Sequence, residues 1–284
     1  MKYRHAFHAG NFADVHKHVL LLTLLRSMQR KDKGFLYVDT HAGRGSYELS
    51  GPGTRPGGEA AHGYGLIARA TPESAELQDY LQQVATWRAV PSHGHSYPGS
   101  PLLAAAILRP QDRAVCCELQ PAECRALQHS LAGADRVHID CANGMQRITA
   151  LLPPLERRAL LLIDPPYEAG DAEFDSALAG IQAALQRLAN AVLMLWYPIK
   201  DDRELQRWLQ RATSMLHAPL LCSELWLHPR DSRVALNGSG ILVVNPPFQC
   251  EQRMQHWLPE LGQLLGATRT GGTAIRWLVH EPAG

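Results

Sequence analysis

A chain of 284 residues, 45% hydrophobic and 19% charged, carries enough apolar material for a substantial core. A formal net charge of +1 excludes the uniformly basic surface of an indiscriminate nucleic-acid binder. The longest apolar runs, around 19–25 and 159–163, are far too short to span a membrane, and residues 1–8 lack the apolar core of an export signal, so a soluble cytoplasmic protein is expected. The six cysteines form no Cys-x-x-Cys pair and are expected to be reduced and buried.

Residues 1–33 hold seven Lys/Arg against Asp14 and Asp32, together with His5, His8, His16 and His18. Such a segment suits phosphate binding or a solvated helix end. The histidines lie two and three apart, residues two apart do not share a helix face, and no Cys or carboxylate completes a zinc set; no metal is expected. Val15, Val19, Leu22, Leu25 and Met28 predict a helix over 13–30, starting near Asn11 or Asp14. Residues 34–38 read as a buried strand that runs into Asp39-Thr-His-Ala-Gly43-Arg-Gly45. A turn-rich loop at 51–58 opens an inserted helical segment over 46–96, and a helix entered through prolines follows at 98–108. Strands are then expected at 114–117, 137–139, 159–163, 191–196, 220–227 and 240–244, with helices near 121–132, 145–152, 173–188 and 201–215. This alternation predicts a doubly wound parallel sheet whose last two strands form an antiparallel hairpin, with ligands outside the strand carboxyl ends.

Glycines at 43 and 45 let a ligand approach the backbone after the first strand. A dinucleotide loop would place Gly or Ala three residues after Gly45, where Glu48 stands, which disfavours a nicotinamide oxidoreductase. Glu118 is placed for ribose hydroxyls, and Asn143 and Gly144 for an adenine edge. There is no Gly-x-Ser-x-Gly elbow for nucleophilic hydrolysis.

Asp164-Pro165-Pro166-Tyr167 closes the strand at 159–163. The Asp and the Pro165 carbonyl can accept hydrogen bonds from an exocyclic amino group, while the Tyr ring offers a stacking surface. Asn245-Pro246-Pro247-Phe248 repeats the pattern after the strand at 240–244, but chain order puts only Asp164 on the fourth strand, near the switch point. The expected fold is α/β: a class I S-adenosylmethionine-dependent methyltransferase with a Rossmann-like, seven-stranded sheet, its last strand antiparallel. Asp164 is assigned to catalysis, and the second copy is read as a structural look-alike.

Several ordered segments carry a closer resemblance: 3–11, 13–18, 35–43, 97–101, 162–167, 195–198 and 245–248. In these the chain resembles the RlmJ-type 23S rRNA adenine-N6 methyltransferases over nearly its whole length. The resemblance implies that His18, His41, Ser100, Glu118, Asn143, Gly144 and Asp164 contact S-adenosylmethionine. It also implies that Tyr3 and His5, on an arm over 1–12, reach the substrate, and that Lys17 lies near the active centre. The family commonly has Asp where this chain has Asn143, with Asp140 nearby. One methyltransferase domain over 1–284 with a helical subdomain at 46–96 is implied, acting as a monomer on free or partly assembled 23S rRNA. Amino methylation of DNA bases or protein glutamine, or non-catalytic RNA binding, are the alternatives.

Overall fold

Asn11 begins the first helix, its side-chain oxygen accepting the N–H groups of Ala13 and Asp14 at 3.0 Å each. That helix, α1 (Phe12–Gln29), ends one residue short of the predicted bound. In this computed structural model, residues 8–49, 58–168, 170–230, 232, 234, 236–267 and 271–280 are described. Instead of one apolar stripe, α1 buries 16 of its 18 residues, including Asp14, His16, Lys17 and His18. The reason is its position: it lies against strands on one side and under helices α3 (Ala75–Arg88), α4 (Ser100–Ile107) and α9 (Cys250–Leu264) on the other. Its buried polar side chains are therefore all partnered. His16, for example, sits between the hydroxyls of Ser239 and Ser223, both at 2.9 Å, and burial pushes its pKa down to about 3.

The main sheet runs β10 (Gly272–Val279), β8 (Leu220–Trp226), β9 (Gly238–Val244), β7 (Val192–Ile199), β6 (Ala159–Ile163), β1 (Leu36–Asp39), β4 (Arg113–Cys117), β5 (Val137–Asp140). From β7 to β5 every pairing is parallel, while β9 runs antiparallel between β7 and β8. The expected seven-strand plan with its reversed strand is present. Beyond it the chain adds α9 and an eighth strand, β10, antiparallel to β8. Alternate residues of β6 feed the two faces: Leu160 and Leu162 join the core under α1, while Ala159, Leu161 and Ile163 join the core with α6 (Gly144–Leu151), α7 (Asp171–Arg187) and α8 (Asp202–Met215). Helix α5 (Pro121–Ser130) packs Leu127 near Leu102 and Ala42.

Between β1 and α4 the chain forms a two-stranded ribbon, β2 (Ser46–Glu48) with β3 (Ser96–Pro98), and helices α2 (Tyr64–Ile67) and α3. Tyr64, Ile67, Leu77, Tyr80, Val84 and Tyr97 pack into the same core as α1 rather than into one of their own. After Gly45 the chain thus enters a strand, not a helix, and Glu48 is exposed on it. The loop lacks the helix amino terminus that a pyrophosphate requires, a stronger reason than the identity of residue 48. The cysteine expectation fails at one pair: Cys124 and Cys141 form a disulfide between α5 and the loop after β5, while Cys116, Cys117, Cys222 and Cys250 are free and buried. Neither spacing nor hydropathy indicates that these two thiols meet across a strand–helix unit. Among the described residues no helix is long and apolar enough to cross a membrane.

The reversal of β9 places its end, Val244, beside Leu193 at the start of β7. Asn245 therefore lies at the amino edge of the sheet, opposite the edge where Asp164 stands. It adopts φ = 50°, and its amide donates to the carbonyls of Ala189 at 2.8 Å and Ala191 at 2.9 Å. Replacing Asn245 with Ala should cost about 1–2 kcal/mol by removing those bonds and an αL-tolerant residue. Urea unfolding should register that loss, while methyl transfer per folded molecule stays near wild type.

Candidate active site

Four parallel strands deliver the candidate residues to one edge. By register, Asp39 at the end of β1 is level with Cys116 of β4 and Leu162 of β6, and Cys117 is level with Asp140 of β5. The residues that follow, His41 to Gly45, Glu118, Asn143–Gly144 and Asp164–Tyr167, converge just outside the sheet. This is where an open α/β sheet splits to admit a ligand.

Asp164 is held from α1. Lys17 Nζ lies 2.6 Å from Asp164 Oδ2 and 2.8 Å from Asp14 Oδ1, with all three side chains largely buried. Burial works against the ammonium charge, but the Asp14 and Asp164 carboxylates outweigh it and hold the Lys17 pKa well above its usual range. Lys17 takes Oδ2 of Asp164, and Oδ1 accepts no hydrogen bond among the described residues. Asp14 Oδ2 also accepts the Gly10 N–H at 2.9 Å, anchoring the start of the helix.

Tyr167 follows the two prolines with φ = 54°, is 6% exposed, and donates its hydroxyl to the Trp196 carbonyl at 2.6 Å. Its ring packs on Phe174, with centroids 4.5 Å apart, and on Trp196 at 5.7 Å. The ring is thus a fixed wall rather than an open platform. His41, Asn143 and Pro165 line one cleft.

The Glu118 carboxylate is positioned by two backbone donors, Gly43 N at 2.9 Å and Gln120 N at 2.7 Å, which leaves lone pairs on both oxygens for hydroxyl groups. Gly43 has φ = 62°, and a Cβ there would meet the Tyr47 hydroxyl. A Cβ on Gly144 would run into the Thr40 carbonyl, so the β5 loop can close onto the β1 loop only with glycine at this position. Asn143 caps α6: its Oδ1 accepts Met145 N at 3.0 Å and Gln146 N at 3.4 Å. Because those partners are N–H groups, the oxygen must face the helix, and the amide's remaining polar group is a donor. Asp140 is paired with Arg147 at 2.8 Å and faces His138 at 3.4 Å.

His41 Nδ1 lies 2.8 Å from Thr40 Oγ1, and burial lowers its pKa to about 4 against the raising field of Asp164. His18 is buried one residue beyond Lys17, with Nδ1 2.8 Å from the Tyr97 hydroxyl. Tyr3 and His5 lie outside the described residues. Among the described residues no group of three or more His, Cys, Asp or Glu side chains is arranged to hold a metal ion.

Sequence reasoning missed three neighbours. Asp39, fully buried, accepts from Ser100 Oγ at 2.6 Å and the Tyr37 hydroxyl at 3.0 Å. Thr40 ties the loop to the Leu162 carbonyl at 3.0 Å. Asp14 completes the lysine pairing. The available signals were an acid at a strand end before a glycine loop, and an acid three residues before a helical lysine.

Residues 32–279 match the family model described as "Ribosomal RNA large subunit methyltransferase D, RlmJ". The chain belongs to this family. Two relatives named "Ribosomal RNA large subunit methyltransferase J" match 99% of this chain and their own full length: one from Haemophilus influenzae at 35% identity and one from Escherichia coli K12 at 36%. The crystal structure of protein LPL1258 from Legionella pneumophila superposes with a TM-score of 0.83 at 29% identity, covering 95% of this chain and 97% of that one. The chain is accordingly an enzyme of the ribosomal RNA methyltransferase class with the family's fold.

Burial raises the Asp39 pKa to about 6 from its ordinary 3.8, despite lowering hydrogen bonds from Ser100 and Tyr37. A carboxyl with a raised folded pKa contributes stability that is complete below the unfolded value and is lost as pH rises through about 6. Relative to Asp39→Asn, wild type should therefore lose on the order of 2–3 kcal/mol between about pH 4 and pH 7.5. Parallel urea titrations at the two pH values measure it; a pH-independent difference contradicts it.

Proposed function

We propose that the chain transfers a methyl group from S-adenosylmethionine to N6 of one adenine in 23S rRNA, acting as a cytoplasmic monomer on free or partly assembled rRNA. The observation that carries this reading is the Asp164-Pro165-Pro166-Tyr167 turn at the carboxyl end of β6, with Asp164 held from behind by Lys17. Names of the relatives at 35% and 36% identity supply the rRNA substrate class.

The cofactor pocket fits the group proposed for it. The Glu118 oxygens suit ribose hydroxyls, and the close Gly144–Thr40 packing leaves a slot beside Asn143 for an adenine edge. Gly43 and His41 border the space between that slot and Asp164, with Ser100 behind them on Asp39 and His18 on Tyr97. S-adenosylmethionine supplies a sulfonium methyl, whose bonding electron pair stays on sulfur as the methyl leaves.

The residues of this chain act on the amine. Asp164 Oδ1 and the Pro165 carbonyl accept its two N–H bonds and turn the nitrogen lone pair towards the donor. Lys17 fixes the Asp164 carboxylate, and Tyr167 forms the wall on which the extruded base is seated. The family resemblance also assigns substrate contacts to Tyr3 and His5, which lie outside the described residues. Once a C–N bond forms, the nitrogen is acidic and passes its extra proton to water, so no strong base is needed. Orientation and electrostatics supply most of the acceleration. Extrusion of the base costs a few kcal/mol, less for an unpaired nucleotide.

Asp164→Ala should lower kcat on deproteinised 23S rRNA by about a hundredfold or more while retaining cofactor binding. Labelled-methyl transfer measures it, and a near-normal rate would refute the mechanism; mapping N6-methyladenine in rRNA from a deletion strain identifies the target. Asn143 presents a donor where an adenine amino group needs an acceptor. Asn143→Asp, which keeps the cap and adds an acceptor, should tighten cofactor binding by about three- to tenfold in calorimetry.

A further inference from the structure

Outside the active site, the largest unexplained feature is the opposite edge of the sheet. Residues 30–35 precede β1, residues 153–158 precede β6, and the turn after β9 reaches the same edge because β9 is reversed. Side-chain contacts join these segments: Arg158 donates to the carbonyls of Met28 and Lys33, Arg109 to those of Gln29 and Lys31, and Arg30 to Gln249 Oε1 at 3.3 Å. Arg109 is neutralised by Asp112 and Arg113 by Glu156. Arg30, Lys31, Lys33, Arg157, Arg158 and Arg253 form no ion pair among the described residues; the acids beside them in sequence are Asp32, Glu156, which is paired with Arg113, and Glu251. The Arg158 pKa is lowered, first by burial and then by repulsion from Arg109, with Asp112 opposing the shift. Beside the cations, Phe248 is 77% exposed on the rigid turn that Asn245 caps.

The methyl-transfer edge carries mixed charge. Asp39, Glu118, Asp140, Asp164, Glu168 and Glu173 lie around it; of its cations Lys17 is paired with Asp14 and Asp164, Arg147 with Asp140 and Arg44 with Glu123, and Lys200 follows the end of β7. Most cations described at this edge are already paired with acids, so a surface with unpartnered cations adds affinity for a long polyanion.

We propose that the amino edge is a second RNA-docking surface, where an rRNA segment distant from the target adenine lays its phosphates along Arg30–Lys33, Arg157–Arg158 and Arg253 and stacks an unpaired base on Phe248. This rests on the rRNA-methyltransferase reading. Phosphate contacts give the affinity, and an exposed aromatic beside them is the usual platform for a single-stranded base. Strands of four to five residues separate the two edges by at least about 13–17 Å, a span of roughly five stacked nucleotides. Long substrates engage both edges, and short ones only the active site.

The test uses the full chain carrying Lys31→Glu, Lys33→Glu and Arg157→Glu together, three exposed side chains that make no hydrogen bond among the described residues. On a long 23S rRNA transcript near 0.15 M salt, KM should rise about tenfold or more, and the slope of log affinity against log salt should become shallower by about two to three. The kcat, cofactor affinity and KM for a short fragment around the mapped adenine should be unchanged. Phe248→Ala should raise the long-transcript KM about fivefold or more without altering the salt slope. An unchanged long-transcript KM and slope in the triple variant overturns the proposal. So does unchanged RNA affinity accompanied by lost binding to anionic phospholipid vesicles, which would assign the patch to a membrane. Failure of the function reading looks different: wild type would transfer no methyl to rRNA, whatever filter binding reports about this edge.

Discussion

The buried chain Asp14–Lys17–Asp164 is the interaction on which the site depends. An ammonium and two carboxylates leave water together, and the cost is met only because each charge faces its opposite at 2.6–2.8 Å. Lys17 is reachable from Asp164 because α1 is buried almost all round, clamped between the sheet and the helices α3, α4 and α9. The long core packing of α1 thus fixes the orientation of one carboxylate. A lysine on a solvated helix could not do this, since its flexible stem and hydration would leave Asp164 free to turn.

The sheet's direction sets the second constraint. Parallel strands bring Asp39, Glu118, Asp140 and Asp164 to one edge, and the loops between them close through glycines where a side chain would strike backbone, as at Gly144 against Thr40. Reversal of a single strand, β9, carries a near-copy of the Asp164-Pro165-Pro166-Tyr167 turn to the far edge. There Asn245 spends its amide on the Ala189 and Ala191 carbonyls, and Phe248 faces solvent. Two turns with nearly the same sequence therefore do different work. Charge differs between the edges as well: at the Asp164 edge Lys17, Arg44 and Arg147 are paired with acids, while Arg30, Lys31, Lys33 and Arg157 at the opposite edge form no ion pair among the described residues.

Strand and helix alternation from residue 34 to 244 was readable because each strand is a short apolar run followed by a polar turn. The helix bounds of α1, α7 and α8 came within about two residues for the same reason. Helix α9 and strand β10 were missed. Helix α9 carries Pro259 in its interior, and every residue of β10 is only partly buried, so neither has a clean period. Asp39 was passed over because a strand-end acid resembles any loop acid until burial and Ser100 are seen together. The Cys124–Cys141 pairing lies across a helix and a loop whose approach no local pattern encodes.

The sequence alone determined the kind of chemistry. Asp164-Pro165-Pro166-Tyr167 after a buried strand is a local object, its acceptors set by proline geometry and by one side chain, and the ordered motifs of the chain carried the family. What only the tertiary structure decided is which groups control that turn and which surfaces remain for RNA. The partners Asp14, Lys17 and Asp164 span about 150 positions along the chain. Arg30 and the Phe248–Gln249 turn that it contacts come from segments more than 200 positions apart. Hydrogen bonds and charge pairs act over a few ångströms in space, whatever the separation in sequence, so their partners appear only once the sheet has set the directions of its strands.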